Sequence, residues 1–385
     1  MRIIIVGAGI GGLTLANLLQ NDNHELIIVE KARLIEPVGY AVGVWKNGTD
    51  VLNKLGLLQE FKNNSFIAQF QKTYTPSGKL LRTTCFSNLN KKFGDAIRFI
   101  HRADLYKILY NNLKTNKYKI HLNSTVSQLS QKDNIVYVTL SNGEMLQADF
   151  LIGADGVNSS IRQLIFPNED CIKKHEVIFS TFTVNNCLSE PLMGTEEIIG
   201  KGTFIGIYPY SENKYGIYAS LKHSLDEPIK NDITKIKENF KNFGEKVDAI
   251  FNSVNENTSV FSDYIREISL AKWYHEKVIL IGDAAHALLP TTGQGLSAAM
   301  EDAYELHKAI FAETDEKDIE NKLKKFQKKR STKLKPVIRD SRLNHYMIMN
   351  KYSLICKLRD LAIQFLPNSE KKLAHFFKHN FDYEK

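Results

Sequence analysis

The stretch IGDAAHALLPTTGQG, Ile281 to Gly295, gathers several groups capable of chemistry. Asp283 stands three residues before His286, a proline follows at Pro290, and Gly293-Gln294-Gly295 closes the run. Three readings compete. Asp283 and His286 could be an acid–base pair, because imidazole titrates near neutrality. They could hold a metal, although no further ligand sits at a suitable spacing. Alternatively, the run is a loop entering a helix, whose N-terminus presents free N–H groups and a positive dipole end to a ligand. Leu296, Ala299, Met300, Ala303 and Leu306 recur at helical spacing, so a helix is predicted directly after the turn.

A second constellation opens the chain. Arg2–Val6 is apolar and β-branched, Gly7-Ala8-Gly9-Ile10-Gly11-Gly12 follows at once, and Leu13–Gln20 reads as helix. A further apolar run, Glu25–Val29, ends in Glu30, 18 residues after Gly12. Strand, GxGxxG turn, helix, strand and acid form a dinucleotide-binding signature. Gly7 permits the tight turn, Gly9 lets the backbone approach a pyrophosphate, and Gly12 lets helix pack on strand. Glu30 is suited to a ribose hydroxyl pair. A third strand-to-loop junction, FLIGADGVNSSIR, carries Asp155-Gly156 and then Ser159 and Arg162.

The elements that must position these groups belong to an α/β chain. Beyond the third constellation, from His175 to Ala219, the pattern changes. VIFSTFTV, TFIGIYPY and KYGIYASL alternate aromatic and aliphatic residues between turn-like segments, which predicts an antiparallel sheet with one buried face. Lys277–Ile281 then returns as a strand. The tail after Ser331 is helical by pattern, with Tyr346, Ile348, Met349, Tyr352 and Ile355 on or near one face.

At 385 residues, two packed domains are expected. A chain that is 43% hydrophobic and 24% charged is globular rather than disordered. No apolar run reaches the ~18 residues of a membrane span. The four cysteines, Cys85, Cys171, Cys187 and Cys356, are far apart, which fits a reduced cytoplasmic setting without a thiolate zinc site. From Glu316 to Lys385 there are 18 Lys and Arg against 8 Asp and Glu, so the basic surplus sits in the tail. No nucleic-acid motif accompanies it, and no nucleic-acid partner is expected. Membrane contact through a basic amphipathic tail is the weaker reading beside a solvated helix face.

With GxGxxG, Asp155-Gly156 and Gly282-Asp283 in this order, the sequence resembles the group A FAD-dependent aromatic monooxygenases of the para-hydroxybenzoate hydroxylase fold. It is similar to bacterial urate and salicylate hydroxylases and to tetracycline-inactivating monooxygenases. The likeness covers Met1 to about Arg330. It implies a Rossmann-like FAD-binding domain (1–72, 95–174 and 262–330) interrupted by a mixed or antiparallel β-sheet substrate domain (73–94 and 175–261), with a C-terminal helical segment (331–385).

The resemblance also implies roles. Asp283 would bond a ribityl hydroxyl of FAD, and Pro290, Gly293, Gln294 and Gly295 would lie beside the isoalloxazine ring. The helix near Leu296 would point its N-terminus at the ring's N1–C2 carbonyl edge. His286 would then be a packing or supporting residue rather than a base. Arg102 would reach the pyrophosphate, Val126 would line the adenine, and Asp155 would serve FAD and nicotinamide. Glu30 and Lys31 would follow the second strand, where Arg is common in place of Lys31. The segment Val38–Gly48, with Gly39 and Gly43, would cover the ring. Ser297 stands where Asn is common in relatives, a departure that bears on how the helix N-terminus is capped, although Ser also caps.

The implied activity is NAD(P)H- and O2-dependent hydroxylation of a small aromatic or polycyclic substrate through a flavin C4a-hydroperoxide. FAD would be resident, with NADPH or NADH as co-substrate and molecular oxygen as a partner. Expected substrate-wall residues are Trp45, Phe179, Thr181, Phe204, Tyr208, Tyr215 and Ile217. The Trp45 loop is also similar to that of urate hydroxylases, where an Arg is expected near Lys214. No second GxGxxG supplies a separate nicotinamide domain, and the WxWxIP signature of halogenases is absent. Alternative readings are a same-fold reductase or halogenase, or a non-catalytic flavoprotein binding a partner through its basic tail.

Overall fold

The computed structural model describes residues 1–22, 24–33, 40–114, 116–226, 233–312 and 318–365. Val38 and Gly39 of the expected ring-covering segment lie outside the described residues.

Ile3, Ile4 and Ile5 are fully buried in the Arg2–Val6 strand, as are Phe150, Leu151 and Ile152 in the Phe150–Gly153 strand. Strands apolar at consecutive positions suit the centre of a parallel sheet, where both faces are covered. These two strands pair in parallel inside a six-stranded sheet. Its order is Tyr274–His275, Val278–Leu280, Phe150–Gly153, Arg2–Val6, Glu25–Val29 and Tyr118–His121. The Gly282-Asp283, Asp155-Gly156, GxGxxG and Glu30 signatures therefore follow the carboxyl ends of four adjacent strands. That edge is where open α/β sheets bind ligands.

The glycine turn explains its own composition. Gly7 has φ +104°, and a Cβ there would stand 2.4 Å from the Ala154 carbonyl oxygen. A Cβ on Gly12 would stand 2.0 Å from the Gly7 carbonyl oxygen. Neither position admits a side chain, and the Ile10–Leu19 helix can approach the first strand only for that reason.

The second large sheet has seven strands in the order Phe261–Ile268, Ile172–Asn185, Lys214–Lys222, Thr203–Ser211, Thr195–Ile199, Phe70–Tyr74 and Leu80–Cys85. It is antiparallel except between Thr195–Ile199 and Phe70–Tyr74. One face packs Phe182, Ile205, Ile207, Tyr215 and Ile217 against the short Ile233–Asn239 and Glu245–Ser253 helices. The other face looks toward the parallel sheet. The cuts drawn from sequence at 72, 174 and 261 fall within or beside strands of this sheet, so the sheet extends a few residues beyond them. Phe261–Ile268, assigned to the cofactor domain, is its edge strand.

The described residues end with the 30-residue Ile319–Ile348 helix and the Ser353–Phe365 helix. Tyr346 and Tyr352 are 64% and 74% exposed, so they do not join Ile348 and Met349 on a packed face. Residues Met349 to Tyr352 break the helical phase that the sequence pattern assumed to be continuous. No helix among the described residues is long and apolar enough to cross a membrane.

Candidate functional site

A cavity of about 780 Å³ lies between the carboxyl edge of the parallel sheet and the inner face of the seven-stranded sheet. Gly9, Gly43, Arg102, Asp283, Pro290, Gly293, Gln294, Gly295 and Leu296 line its first side. Trp45, Phe179, Thr181, Phe204, Tyr208 and Ile217 border the second. Met347 and Ile348 of the Ile319–Ile348 helix, Met349 just after it and Ile363 of the Ser353–Phe365 helix close one end. Residues scattered over the chain thus converge because a parallel sheet delivers its loops to one edge and an antiparallel sheet faces that edge.

Two helix N-termini open into this space. The Ile10–Leu19 helix begins after Gly9 and the Gly295–Leu306 helix after Gln294; neither has a side-chain cap or an acid in its first turn. Their free N–H groups and positive dipole ends are complementary to anionic groups. A Cβ on Gly9 would meet nothing within 4 Å, so the turn leaves a hollow beside the first helix. Asp155 accepts from Ser160 N (2.7 Å), Ser160 Oγ (3.0 Å) and Ile161 N (3.2 Å) through Oδ2. Its Oδ1 is buried without a partner. Asp155 itself lies just outside the cavity lining, between Ala154 and Gly156, whereas the open glycine cradle on an uncapped helix fits the pyrophosphate of a dinucleotide cofactor.

Glu30, Lys31 and Val126 lie outside the cavity, past Gly9. Glu30 accepts from Ala8 N (2.7 Å) and Ala32 N (2.9 Å), holding the glycine turn while keeping lone pairs for a further donor. Ser124 N donates to Glu30 O and Asn123 N to Ala32 O, which brings the start of the Val126–Lys132 strand beside Glu30. The Val126 side chain is buried in the core and Lys31 is exposed.

The Ile281–Gly295 run separates Asp283 from His286. Asp283 is open to the cavity; desolvation by the protein around it pushes its carboxyl above the ordinary range, against the pull of His286 and Arg102. His286 is 4% exposed and faces the opposite way. Its Nε2 is 2.5 Å from Asp302 Oδ2, and its ring lies 4.8 Å from that of Trp273. Asp302 also accepts from Gly282 N (2.8 Å) and Arg330 Nε (2.6 Å). Desolvation works to raise the Asp302 carboxyl, but His286 and Arg330 hold it down at about 2. Arg162 joins the second signature to this loop, donating to Ala284 O (2.9 Å) and Val157 O (2.7 Å), while Ser159 Oγ accepts from Arg162 N. His286 therefore supports the loop from behind.

Ser297 does not cap its helix. Its Oγ accepts from Trp45 N (3.0 Å), while Trp45 Nε1 donates to Gly293 O (3.1 Å). These two bonds tie the Ala41–Trp45 strand across to the glycine turn.

Strand parity decides the second wall. Phe179 and Thr181, and Phe204 and Tyr208, occupy the cavity-facing parity of their strands. On Lys214–Lys222 that parity belongs to Gly216, Tyr218 and Ser220. Tyr215 is a correction: it is 1% exposed, packs in the core behind the sheet, and does not line the cavity. Ile217 shares that rear core and only borders the cavity. Lys214 is exposed at the strand start, outside the cavity. Tyr218 stacks on Phe179 at 5.6 Å and 11°, and burial pushes its hydroxyl well up. Sequence reasoning also missed Gln71, Thr73, Arg82, Thr84 and Glu197.

Residues 1–341 match the family model described as an FAD binding domain. The 2-heptyl-3-hydroxy-4(1H)-quinolone synthase of Pseudomonas aeruginosa is 27% identical over 385 residues, covering 97% of each chain. The FAD-dependent monooxygenase janM of Penicillium janthinellum is 27% identical over 363 residues, 89% of this chain and 76% of that one. In fold, the chain is similar to Klebsiella pneumoniae HpxO complexed with FAD and uric acid (TM-score 0.87, 20% identity, 99% and 97% of the two chains). It is also similar to P. aeruginosa PqsL in complex with 2-aminobenzoylacetate (TM-score 0.78, 20% identity, 94% and 99%). With its dinucleotide edge, uncapped helices and matched length, the chain belongs to the FAD-binding-domain family and is an FAD-dependent monooxygenase.

Proposed function

We propose that the chain uses NADPH or NADH and O2 to hydroxylate a small aromatic or heteroaromatic ring held between the flavin and the seven-stranded sheet. The observation that carries this is the continuity of one cavity from the Gly9 turn, past Gly293–Leu296, to the Phe179, Phe204, Tyr208 and Tyr218 wall. Relatives whose names carry uric acid, 2-aminobenzoylacetate or a quinolone support a compact planar substrate.

FAD, once reduced by a nicotinamide, supplies activation of dioxygen; the protein supplies orientation and exclusion of water. The N-terminus of the Ile10–Leu19 helix, with Arg102, would hold the pyrophosphate, and Asp283 would hold a ribityl hydroxyl. The Gly295–Leu306 helix would direct its free N–H groups at the edge of the ring that gains charge on reduction. The Trp45 bonds to Gly293 and Ser297 keep that turn in place. Met347, Ile348, Met349 and Ile363 shield the far end, because an open site diverts reduced flavin to peroxide.

The test is NADPH and NADH oxidation under air by FAD-loaded protein, with and without phenols, purines, 4-quinolones and polycyclic aromatics, with peroxide followed in parallel. The proposal expects one class to accelerate oxidation while peroxide falls below the nicotinamide consumed. Anaerobic flavin that neither nicotinamide reduces would overturn it.

A further inference from the structure

Two adjacent glutamates on the Thr195–Ile199 strand have opposite fates. Glu196 faces the rear of the sheet, where both its oxygens take the Lys246 ammonium at 2.8 Å. Glu197 faces the cavity and, among the described residues, has no cation against it. Its partners are neutral: Gln71 Nε2 donates to Oε2 at 2.6 Å and Tyr208 Oη to Oε1 at 3.1 Å.

The sheet is built to make this arrangement. Glu197 pairs directly with Gly206 on one side and with Thr73 on the other. A Cβ on Gly206 would stand 2.3 Å from Tyr208 Oη and 2.5 Å from its ring, so the missing side chain leaves the space the tyrosine occupies. The Tyr208 ring folds back over Gly206 to reach the carboxylate and stacks on Phe99 at 5.4 Å. Gln71 arrives from the strand on the other side, two residues before Thr73. Each carboxylate oxygen thus has one donor and keeps a lone pair. A desolvated carboxyl without a cation is costly in a fold and concentrates at binding and catalytic sites.

We propose that Glu197 is the specificity-determining acceptor of the substrate cavity, selecting a neutral aromatic ring that carries an N–H or O–H donor and rejecting ring carboxylates. This rests on the monooxygenase reading of the same cavity. The cavity's other charges support it. Arg359 is buried and spent on Gly200 O (2.9 Å), Ile199 O (3.4 Å) and Asp360 (2.8 Å), and the Arg82 guanidinium donates to Ile363 O. Arg102 lies beside Tyr40 and Asp283, on the cofactor side. Burial pushes the Glu197 carboxyl up to about 7, with Tyr208 and Gln71 opposing, so acceptor strength rises as pH passes neutrality. Tyr40, Arg82, Arg102, Tyr208, Tyr218, Asp283, Asp340, His345 and Arg359 are the other titratable or charged groups lining the cavity.

The experiment uses the full chain loaded with FAD, as wild type, Glu197→Gln and Tyr208→Phe. The probes are 4(1H)-quinolone, its N-methyl derivative and quinoline-4-carboxylate, titrated by the perturbation of flavin absorbance. Wild type should bind the N–H probe roughly tenfold or more tighter than either analogue, as expected for a charge-assisted hydrogen bond. Glu197→Gln should shrink that preference to about threefold or less, and Tyr208→Phe should reduce it partly. Infrared difference spectra should show a protonated-carboxyl stretch lost as pH rises through about 7 and absent from Glu197→Gln. Equal discrimination in Glu197→Gln, no discrimination in wild type, or no probe binding to the FAD-loaded chain would overturn the proposal. Those outcomes leave the monooxygenase reading standing provided the chain retains FAD and oxidises a nicotinamide; loss of both defeats the two together.

Discussion

Asp302→Ala tests the support behind the Gly282-Asp283 loop. The substitution removes the acceptor of three groups at once: Gly282 N, His286 Nε2 and Arg330 Nε. Arg330 is 0% exposed, so its charge cannot turn to solvent, although Glu301 remains 2.7 Å away. Breaking one member of a buried ionic network costs about 3–5 kcal/mol. The lowered carboxyl agrees in sign: against desolvation, His286 and Arg330 favour its charged form in the fold. Because this carboxyl is more acidic in the fold, its contribution is complete above about pH 4 and is lost as pH falls through about 2.

The assay is urea unfolding at pH 7, followed by tryptophan fluorescence; of the two tryptophans, Trp273 has its ring 4.8 Å from that of His286. Asp302→Ala should lose about 3–5 kcal/mol and bind FAD more weakly, because Gly282 carries Asp283 into the cavity. Asp302→Leu combined with Arg330→Met should recover part of the loss, since a vacated ion pair replaced by apolar groups leaves no stranded charge. A loss below about 1 kcal/mol for Asp302→Ala, or a double variant weaker than the single, would refute the reasoning.

Further perturbations separate cofactor, support and wall. Gly9→Val should fold, since a Cβ there meets nothing within 4 Å, yet should purify without FAD; full flavin occupancy with native circular dichroism would misplace the cofactor. His286→Ala should lower stability by about 1–3 kcal/mol while turnover per bound FAD stays within about tenfold; a loss of several orders of magnitude with FAD retained would restore the acid–base reading. Burial, together with His175 and Lys222, lowers His345 to about 4. The unfolded chain therefore takes up this proton first, and stability present above about pH 6.5 falls as pH drops through about 4. His345→Leu should flatten that part of the pH–midpoint curve; an unchanged curve would remove His345 from the acid response.

Much of the cofactor edge was legible because each signature is local. Gly7 and Gly12 report contacts only a glycine permits, and each acid or glycine motif directly follows an apolar strand. The substrate wall was less legible. Aromatic and aliphatic residues occupy both faces of the seven-stranded sheet, so sequence could not tell the Tyr215 face from the Tyr218 face without knowing which side carries the helices. Glu197 gave no signal, because Glu196 beside it is equally acidic and only the pleat distinguishes them. The Ser297 position raised only the question of helix capping, whereas its hydroxyl serves Trp45, 252 residues away in the chain. The tail's exposed Tyr346 and Tyr352 were grouped with Ile348 and Met349 because a break after Met349 has no strong local marker.

The most direct test of the central claim follows the oxygen atom. FAD-loaded protein, a nicotinamide and a ring that accelerates its oxidation are incubated under isotopically labelled dioxygen, and the product is analysed by mass spectrometry. The account predicts one labelled oxygen atom in the product, and none when the label is supplied in water instead. A product that carries oxygen from water, or a ring recovered unchanged while all the nicotinamide appears as peroxide, would contradict it.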